Sequence, residues 1–269
     1  MLVNGKPGDS IGIRDRGLLY GDGIFRTMLA ARGKALGWPL HYHKLSDDCA
    51  ALGIACPDIG SLTAELDSIL RRQPDCVVKL IVTRGAGKRG YAPSGCAGST
   101  RLWDTFPVPE YPAEWLTHGI RAHLCDLRLG HQPRLAGIKH LNRLENVLAA
   151  AESDAANAAE GLVMDAADNI IGGTRSNLFL VLHGELVTPD LSKCGVAGIQ
   201  RNRVIGWAAE NHVPLHVREV RLDDVMEAEE LFVVSSVLKM WTIREFNRRS
   251  WSRFPVSEKI RLSLDGPGT

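Results

Sequence analysis

Hydrophobic positions in the first third of the chain follow helical spacing twice and then strand spacing. Apolar residues recur every three or four positions in segments 41–54 and 61–72, for example at Leu62 and Leu66. The run 76–83, CVVKLIVT, is rich in β-branched residues, which pack well on a pleated sheet. The pattern therefore predicts two amphipathic helices followed by a strand.

The rest of the chain alternates strands and helices as well. Segment 142–159 predicts the clearest helix, because alanine, leucine and glutamate dominate it. A second helix is expected over 199–212. Strands separated by Asp, Asn and Gly turns are expected within 161–189, and a last apolar strand over 231–237. Beyond that strand the pattern weakens, and we expect an irregular C-terminal tail.

Three prolines fall within residues 106–112 and predict a linker between two domains. The mixture of helices and strands on both sides predicts an α/β (α+β) protein of two domains. We expect an N-terminal α/β domain over 1–108, a linker over 109–118 and a C-terminal domain over 119–269.

Composition narrows the function classes without choosing among them. The chain has 45% hydrophobic and 23% charged residues and a net charge of +1, so nothing favours nucleic acid or a membrane surface as a partner. The N-terminus lacks the pattern of a signal peptide, which makes a cytoplasmic location the default expectation. The six cysteines form no CxxC pair, so we expect reduced thiols and no zinc cluster.

Three features could carry chemistry, although each has an ordinary structural explanation. Lys139 lies in LAGIKHLNRLENVLAA, between apolar residues and a strong helix start, and a desolvated lysine amine can form a Schiff base. The segment 194–204, CGVAGIQRNRV, places small residues before a helix N-terminus, which suits a phosphate. The SSV run at 235–237 offers hydroxyl donors at a strand end. A surface lysine, a helix cap and turn serines are the alternatives.

Taken together, these features resemble the fold-type IV enzymes that depend on pyridoxal 5'-phosphate (PLP), which include branched-chain and D-amino-acid aminotransferases. The motifs that carry the resemblance span nearly the whole chain: DRGLLYGDGIF (15–25), VTRGAGKRGY (82–91), LAGIKHLNRLE (135–145), TRSNLF (174–179), GIQR (198–201) and LFVVSS (231–236). RGAGKRGY and the stretch around Lys139 are similar to a lyase branch of this group. The resemblance implies PLP bound between two domains, the second being the PLP-binding domain.

The resemblance also implies roles for individual residues. Lys139 matches the lysine that binds PLP covalently and catalyses the reaction. The amides of Ile199 and Gln200, after Gly198, match those that cradle the phosphate, and Ser236 matches a hydroxyl on the same phosphate. Lys44 stands where the family usually has an arginine on that phosphate, which keeps the charge and loses the bidentate donor fork.

A second departure concerns the pyridine nitrogen. The family places a glutamate there, and the matching position in IIGGTRSNLF is Gly172. Without a carboxylate partner the pyridinium would be less stable, which weakens PLP as an electron sink. The departures at Gly172 and Lys44 leave open a PLP-binding protein with impaired catalysis. The nearest alternative to a lyase is an aminotransferase of the same fold, for D- or branched-chain amino acids, because KHLN is similar to a motif of the D-amino-acid enzymes.

Further expectations concern the substrate and the assembly. A lyase of this kind acts on a dicarboxylate, and Arg84, Arg89 and Arg143 are candidates for carboxylate binding because guanidinium suits bidentate recognition. Tyr20 is a candidate wall of the site. The resemblance also implies a homodimer with active sites near the interface, in which the 82–91 loop is received from the partner.

Overall fold

The computed structural model describes residues 1–96 and 98–264. The chain forms two compact units. The first holds Met1–Pro109 together with Ile138–Asn142, and the second holds Glu110–Gly137 and the chain from Arg143 onward. The short segment that carries Lys139 therefore belongs with the first unit, although it lies far along the sequence. The predicted boundaries at 1–108, 109–118 and 119–269 stay a prediction.

The first unit is a six-stranded antiparallel sheet with helices packed on it. Its strand order is β2-β1-β6-β5-β3-β4. The elements are β1 Leu2–Val3, β2 Lys6–Pro7, α1 Arg16–Tyr20, β3 Gly23–Ala31, β4 Lys34–Ala35, α2 Trp38–Leu52, α3 Ile59–Leu70, β5 Cys76–Thr83 and β6 Thr100–Phe106.

The core of this unit follows from the alternation of β3. Ile24 and Met28 point to one face of the strand and are fully buried with Leu45 and Cys49 of α2. Helices α2 and α3 and strand β5 confirm the predicted pattern, and β5 has the predicted bounds. This shared core fixes β3 and α2 against each other, and with them the side chains that the two elements carry.

The second unit is a nine-stranded mixed sheet. Its path is β12-β11-β10-β13-β14-β7-β8-β9, with β15 paired to β14. The elements are α4 Ala113–Thr117, β7 Ile120–Leu129, α5 Leu144–Ala155, β8 Glu160–Asp165, β9 Ile170–Gly173, β10 Asn177–Leu182, β11 Glu185–Pro189, α6 Ile199–Glu210, β12 Leu215–Arg218, α7 Leu222–Glu227, β13 Glu230–Ser235, β14 Lys239–Phe246, β15 Arg249–Ser250 and α8 Pro255–Leu264.

The expected irregular C-terminal tail is wrong. Strands β14 and β15 and helix α8 follow β13. The carboxylate of Glu230, which is buried in β13, accepts hydrogen bonds from the backbone N–H groups of Val256 and Ser257 at 2.8 and 2.9 Å. The first turn of α8 is thus capped by a residue distant in sequence, which no local pattern reveals.

The helices expected over 142–159 and 199–212 are confirmed as α5 and α6, each a few residues shorter than predicted. Among the described residues, no helix combines the length and the apolar character needed to cross a membrane.

Candidate active site

Lys139 lies in an extended segment of the first unit whose backbone is held from both sides. Its carbonyl oxygen accepts a hydrogen bond from the N–H of Phe25 at 3.0 Å, and its own N–H donates to Asp48 at 3.1 Å. The Lys139 side chain is partly buried, and its Nζ lies 4.4 Å from the centroid of the Phe25 ring. The amine therefore stands against an aromatic face, on a fixed stretch of backbone.

Asp48 connects this backbone to two cations. Its side chain is only 2% exposed, and its carboxylate also accepts hydrogen bonds from the Arg26 guanidinium and from Lys44 Nζ, the latter at 2.5 Å. Buried charges are stable in proteins when they are paired and hydrogen-bonded. Asp48 meets that condition through β3, α2 and the Lys139 segment at once.

Arg26, within this cluster, and His41, beside it, have buried polar atoms without a protein partner. Arg26 Nε and both ring nitrogens of His41 are buried and make no hydrogen bond. Burial, with the nearby cations Arg26 and Lys139, lowers the pKa of His41 to about 3, so its imidazole is neutral at physiological pH. Buried unpaired polar atoms of this kind are uncommon and call for a partner.

Lys44 sits on the same helix as Asp48, one turn earlier. Its side chain is largely but not completely buried, and it forms an (i, i+4) ion pair with Asp48. The structure thus places the lysine of the expected phosphate position in the same unit and the same charge cluster as Lys139. Its role at the phosphate stays a prediction.

The DRGLLYGDGIF motif has a clear structural basis. Asp15 caps α1 by accepting from the Gly17 N–H at 2.8 Å. Arg16 is buried, donates to Asp22 at 2.8 Å and binds the carbonyl oxygens of Gly90 and Tyr91. The motif therefore fastens the glycine-rich loop that follows β5.

Tyr20 belongs to the same arrangement. Its hydroxyl accepts a hydrogen bond from the Gly90 N–H at 3.3 Å, and its ring lies 5.3 Å from the Tyr91 ring. The expected site wall thus contacts the 82–91 loop of its own chain. Its contact with substrate stays a prediction.

The three candidate arginines have different surroundings. Arg84 donates to Asp22 at 2.8 Å and to the carbonyl oxygens of Gly53 and Leu52 at the end of α2. A cation there stabilises the helix C-terminus. With Nε and both terminal nitrogens engaged, Arg84 acts as a brace within the unit.

Asp22 receives both Arg84 and Arg16. Burial by itself would raise the pKa of Asp22, but hydrogen bonds and charge from Arg84 and Arg16 outweigh burial and hold that pKa below its usual range. The carboxylate is therefore ionised at neutral pH and joins α1 to β5.

Arg89 and Arg143 have surroundings that differ from those of Arg84. Arg89 is exposed on the 82–91 loop. Arg143, in the second unit, is partly buried, donates to Asn146 Oδ1 at 3.3 Å and has a pKa lowered by burial. A partly desolvated guanidinium remains charged, because its pKa starts far above neutrality.

The expected phosphate cup lies in the second unit, at the N-terminus of α6. Gly198 is the N-cap residue of α6, and no side chain of an N-cap residue forms a capping hydrogen bond with the first helix amides. The first turn of α6 has no acidic residue. The Gly198 N–H donates to Asn177 Oδ1 at 3.1 Å, and a Cβ on Gly198 would come within 2.5 Å of that oxygen. The first amides of the helix, those of Ile199 and Gln200, have no partner within the helix and suit an anion.

Ser236 follows β13 directly, in the turn before β14, and is partly exposed. Its hydroxyl is placed at a strand end, as the sequence suggested. A bond from this hydroxyl to phosphate stays a prediction.

Gly172 lies in β9 with a φ of +156°, a value that L side chains rarely adopt. A Cβ there would be 3.0 Å from the carbonyl oxygen of Ser176. The backbone itself therefore disfavours a side chain at the position where the family has its glutamate.

Glu160 is a carboxylate that lies near this strand, and no local pattern in the sequence singles it out. It is fully buried and accepts hydrogen bonds from the N–H and hydroxyl of Thr174 and from the Ser176 hydroxyl, at 3.0, 2.5 and 2.7 Å. These bonds hold the TRSN turn. Glu160 is thus occupied by its own chain.

A second cluster consists of three potential metal ligands. One atom each from His131, Asp165 and Cys194 lie within 4.8 Å of one another. His131 Nε2 and Asp165 bond at 2.9 Å, and Asp165 also binds Asn169. Burial, with nearby carboxylates, raises the pKa of Cys194 to about 11, so the thiol is protonated. Hydrogen bonds thus join His131, Asp165 and Asn169, and the protonated thiol of Cys194 lies beside them.

The residues present fit PLP when each unit is considered separately. The first unit offers the partly buried amine of Lys139, the Arg26 cation with an unpaired buried Nε, and the neutral imidazole of His41 with two unpaired nitrogens. The second offers an uncapped helix N-terminus and a close glycine approach. An aldehyde needs the amine, and a phosphate dianion needs amides and cations.

Comparisons with known proteins agree with this chemistry. The family Amino-transferase class IV matches residues 23–246. A crystal structure of 4-amino-4-deoxychorismate lyase from Pseudomonas aeruginosa superimposes with a TM-score of 0.93 at 41% identity, covering 98% of both chains. An aminodeoxychorismate lyase from Vibrio harveyi is 33% identical over 88% of this chain and 87% of its own. A putative branched-chain-amino-acid aminotransferase from Methanocaldococcus jannaschii is 31% identical over 96% and 91%.

The chain belongs to the class IV aminotransferase family, whose enzymes depend on PLP. Its mixed α/β architecture is that of the fold-type IV enzymes, and the expectation of this fold is confirmed.

Proposed function

We propose that the chain is a PLP-dependent carbon–oxygen lyase that converts 4-amino-4-deoxychorismate to 4-aminobenzoate and pyruvate, a step of folate biosynthesis. The observation that carries this proposal is the similarity to two lyases at 33% and 41% identity over most of the chain. The partly buried amine of Lys139, on a backbone held by Phe25 and Asp48, supports it chemically.

Lys139 has two tasks in this proposal. Its amine would hold the cofactor covalently, and when that amine is free it would remove the proton from substrate C4 as a general base. PLP, when bound, takes up the negative charge that develops as this proton leaves. Lys139 can then return a proton to the departing enolpyruvate, whose ether bond at C3 breaks. The product ring becomes aromatic, which favours the elimination.

The phosphate of the cofactor is assigned to the N-terminus of α6, with the amides of Ile199 and Gln200 after Gly198, and to the Ser236 hydroxyl and Lys44. Its support is the uncapped helix end, whose amides and dipole favour an anion. Lys44 brings positive charge from the first unit's cluster.

The two substrate carboxylates are assigned to Arg89 and Arg143, with Tyr20 as a wall. Arg84 was an equal candidate from the sequence. Its three bonds within the first unit argue that it supports the loop, so that its effect on substrate is indirect.

An aminotransferase for D- or branched-chain amino acids is the second candidate, since the family includes such enzymes. Gly172 argues against it. Transamination needs a strong electron sink, and the strand geometry at Gly172 disfavours a carboxylate there that would keep the pyridine nitrogen protonated. Elimination driven by aromatisation makes a smaller demand on the cofactor.

We also propose a homodimer in the cytoplasm. Leu144, Val147 and Leu148 of α5 are 77%, 60% and 59% exposed and share one helix face. Such an apolar stripe on a charged helix is typical of a surface covered by a partner. All six cysteines are free thiols, which is typical of a reducing compartment.

The experiment that tests the proposed function is a direct assay of pyruvate and 4-aminobenzoate released from 4-amino-4-deoxychorismate by the purified PLP-loaded protein. Equal amounts of the two products support the lyase. Consumption of an amino donor with a 2-oxo acid, without pyruvate release from the lyase substrate, would support the aminotransferase.

A further inference from the structure

Asp48 binds three elements of the first unit through one buried carboxylate. Arg26 reaches it from β3, Lys44 reaches it along α2, and the backbone N–H of Lys139 reaches it at 3.1 Å. The carboxylate is 2% exposed, so water contributes little to its stabilisation. The three donors are what make an ionised Asp48 tolerable at this place.

The arrangement has more positive than negative charge. Arg26 and Lys44 face the single carboxylate, while His41 beside them is neutral because burial lowers its pKa to about 3. Loss of the Asp48 charge would leave Arg26, itself 3% exposed, without its counter-ion. Removing one partner of a buried pair is costly, which ties the stability of this unit to Asp48.

The contact with Lys139 has a different character, because it fixes a backbone and not a charge. The Lys139 peptide is held at its N–H by Asp48 and at its C=O by the N–H of Phe25. The next residue, His140, forms an isolated β-bridge with Ile24. Backbone contacts on both sides of Lys139 therefore fix the position of its Cα atom. Lys139 belongs to Ile138–Asn142, a short stretch that joins the first unit from far along the chain.

We infer that Asp48 is a positioning residue for Lys139: its carboxylate holds the backbone from which the Lys139 amine reaches the cofactor carbonyl carbon. This inference rests on the proposed function, in which Lys139 binds PLP covalently. A charged acceptor suits the task, since hydrogen bonds to ionised groups are shorter and stronger than neutral ones. A bound amine misplaced by about 1 Å loses much of its reactivity.

The competing explanation is that Asp48 serves only as the counter-ion of Arg26. The two explanations differ in which ligand loses affinity. PLP forms a bond to Lys139, whereas 4-deoxypyridoxine 5'-phosphate has the same ring and phosphate but no aldehyde. A positioning role changes the ratio of the two dissociation constants, and a general effect on the fold or the phosphate site changes both equally.

The experiment compares three proteins: Arg26→Met, Arg26→Met/Asp48→Asn and Arg26→Met/Asp48→Ala. The Arg26→Met background leaves no buried guanidinium unpaired. Asp48→Asn keeps an oxygen that can accept from the Lys139 N–H, and Asp48→Ala removes it. Asp47→Asn is the matched control, because Asp47 is the next residue on α2 and is exposed, paired with His43 on the surface.

The expected result is that Asp48→Ala lowers the preference for PLP over the deoxy compound about tenfold relative to its background, the size of one lost hydrogen bond. Asp48→Asn should restore most of that preference, and Asp47→Asn should leave it unchanged. If both ligands lost affinity equally and borohydride still labelled Lys139, the inference about Asp48 would be wrong, while the proposed function would stand.

Two further results keep the inference testable. In the unmodified apoprotein the Lys139 amide should exchange its hydrogen slowly, even if the Asp48→Ala protein fails to fold, and a rapidly exchanging amide would overturn the inference. An unmodified protein that binds both ligands equally and is not labelled at Lys139 would remove the proposed function and this inference with it.

Discussion

Arg84 donates a hydrogen bond from Nε to the Asp22 carboxylate at 2.8 Å, while its other two nitrogens hold the carbonyl oxygens at the end of α2. The same carboxylate receives Arg16, which in turn fastens the 82–91 loop. An arginine that looked like a substrate ligand in the sequence is thus part of the frame that supports its neighbour Arg89.

Because Arg84 is bonded within the first unit and Arg89 is exposed, we expect different effects when each is replaced by alanine. Arg84→Ala should lower stability by about 1–3 kcal/mol, because two helix carbonyls lose their arginine donor and Asp22 keeps only Arg16. Arg89→Ala should leave the melting temperature unchanged and raise KM for the lyase substrate at least about tenfold, the effect of one lost charge-assisted contact. Thermal unfolding and steady-state kinetics of both variants check this. A stable Arg84→Ala protein with a raised KM would return Arg84 to the substrate site.

Lys44→Ala should weaken PLP binding by about 1.5–3 kcal/mol, the typical contribution of a hydrogen bond to a charged group. Lys44→Arg is the control, since it keeps the charge and restores the donor fork of the family. Fluorescence titration of the apoproteins measures the dissociation constants. An unchanged constant in Lys44→Ala would show that the lysine serves only as the partner of Asp48 on α2.

Gly172→Ala should destabilise the protein by roughly 1–3 kcal/mol, because the residue has a φ of +156° and its Cβ would press on the Ser176 carbonyl. Gly206→Ala is the control: this glycine lies in α6, has open space around its Cβ position and should gain up to about 1 kcal/mol. Chemical denaturation compares the two. A Gly172→Ala protein as stable as the parent would mean that the strand tolerates side chains, and Gly172→Glu would then be a fair test of the cofactor's electronics.

Part of the fold and part of the candidate site could be predicted from the sequence, and the rest could not. Short motifs suffice to propose Lys139 and the α6 N-terminus as site candidates, because a Schiff-base lysine and a phosphate-binding helix end each need particular residues in a local order. Their roles stay predictions. The sequence does not point to Arg26 and Asp48, because a buried ion pair between β3 and α2 produces no recognisable pattern along a single chain. The pairing of Arg84 with Asp22 and the capping of α8 by Glu230 depend on contacts distant in sequence for the same reason.

The apolar stripe on α5 predicts how the protein assembles. Val147→Glu should raise the dimer dissociation constant at least about tenfold, because a charge would be buried where an apolar side chain is expected. Leu262→Glu on α8 is the control, since Leu262 is 73% exposed and lies on a different helix. Sedimentation velocity at micromolar concentration distinguishes the species. A fully active monomeric parent protein would reject the homodimer.

The reaction itself is the most direct test of the whole account. Purified protein with PLP is given 4-amino-4-deoxychorismate, and pyruvate and 4-aminobenzoate are measured together in the parent, in Lys139→Ala and in the exposed-lysine control Lys6→Ala. We expect equimolar products from the parent and from Lys6→Ala, a loss of at least about 10³-fold in Lys139→Ala, and borohydride labelling of Lys139 in the parent. Absence of pyruvate from the parent, or full turnover by Lys139→Ala, would contradict it.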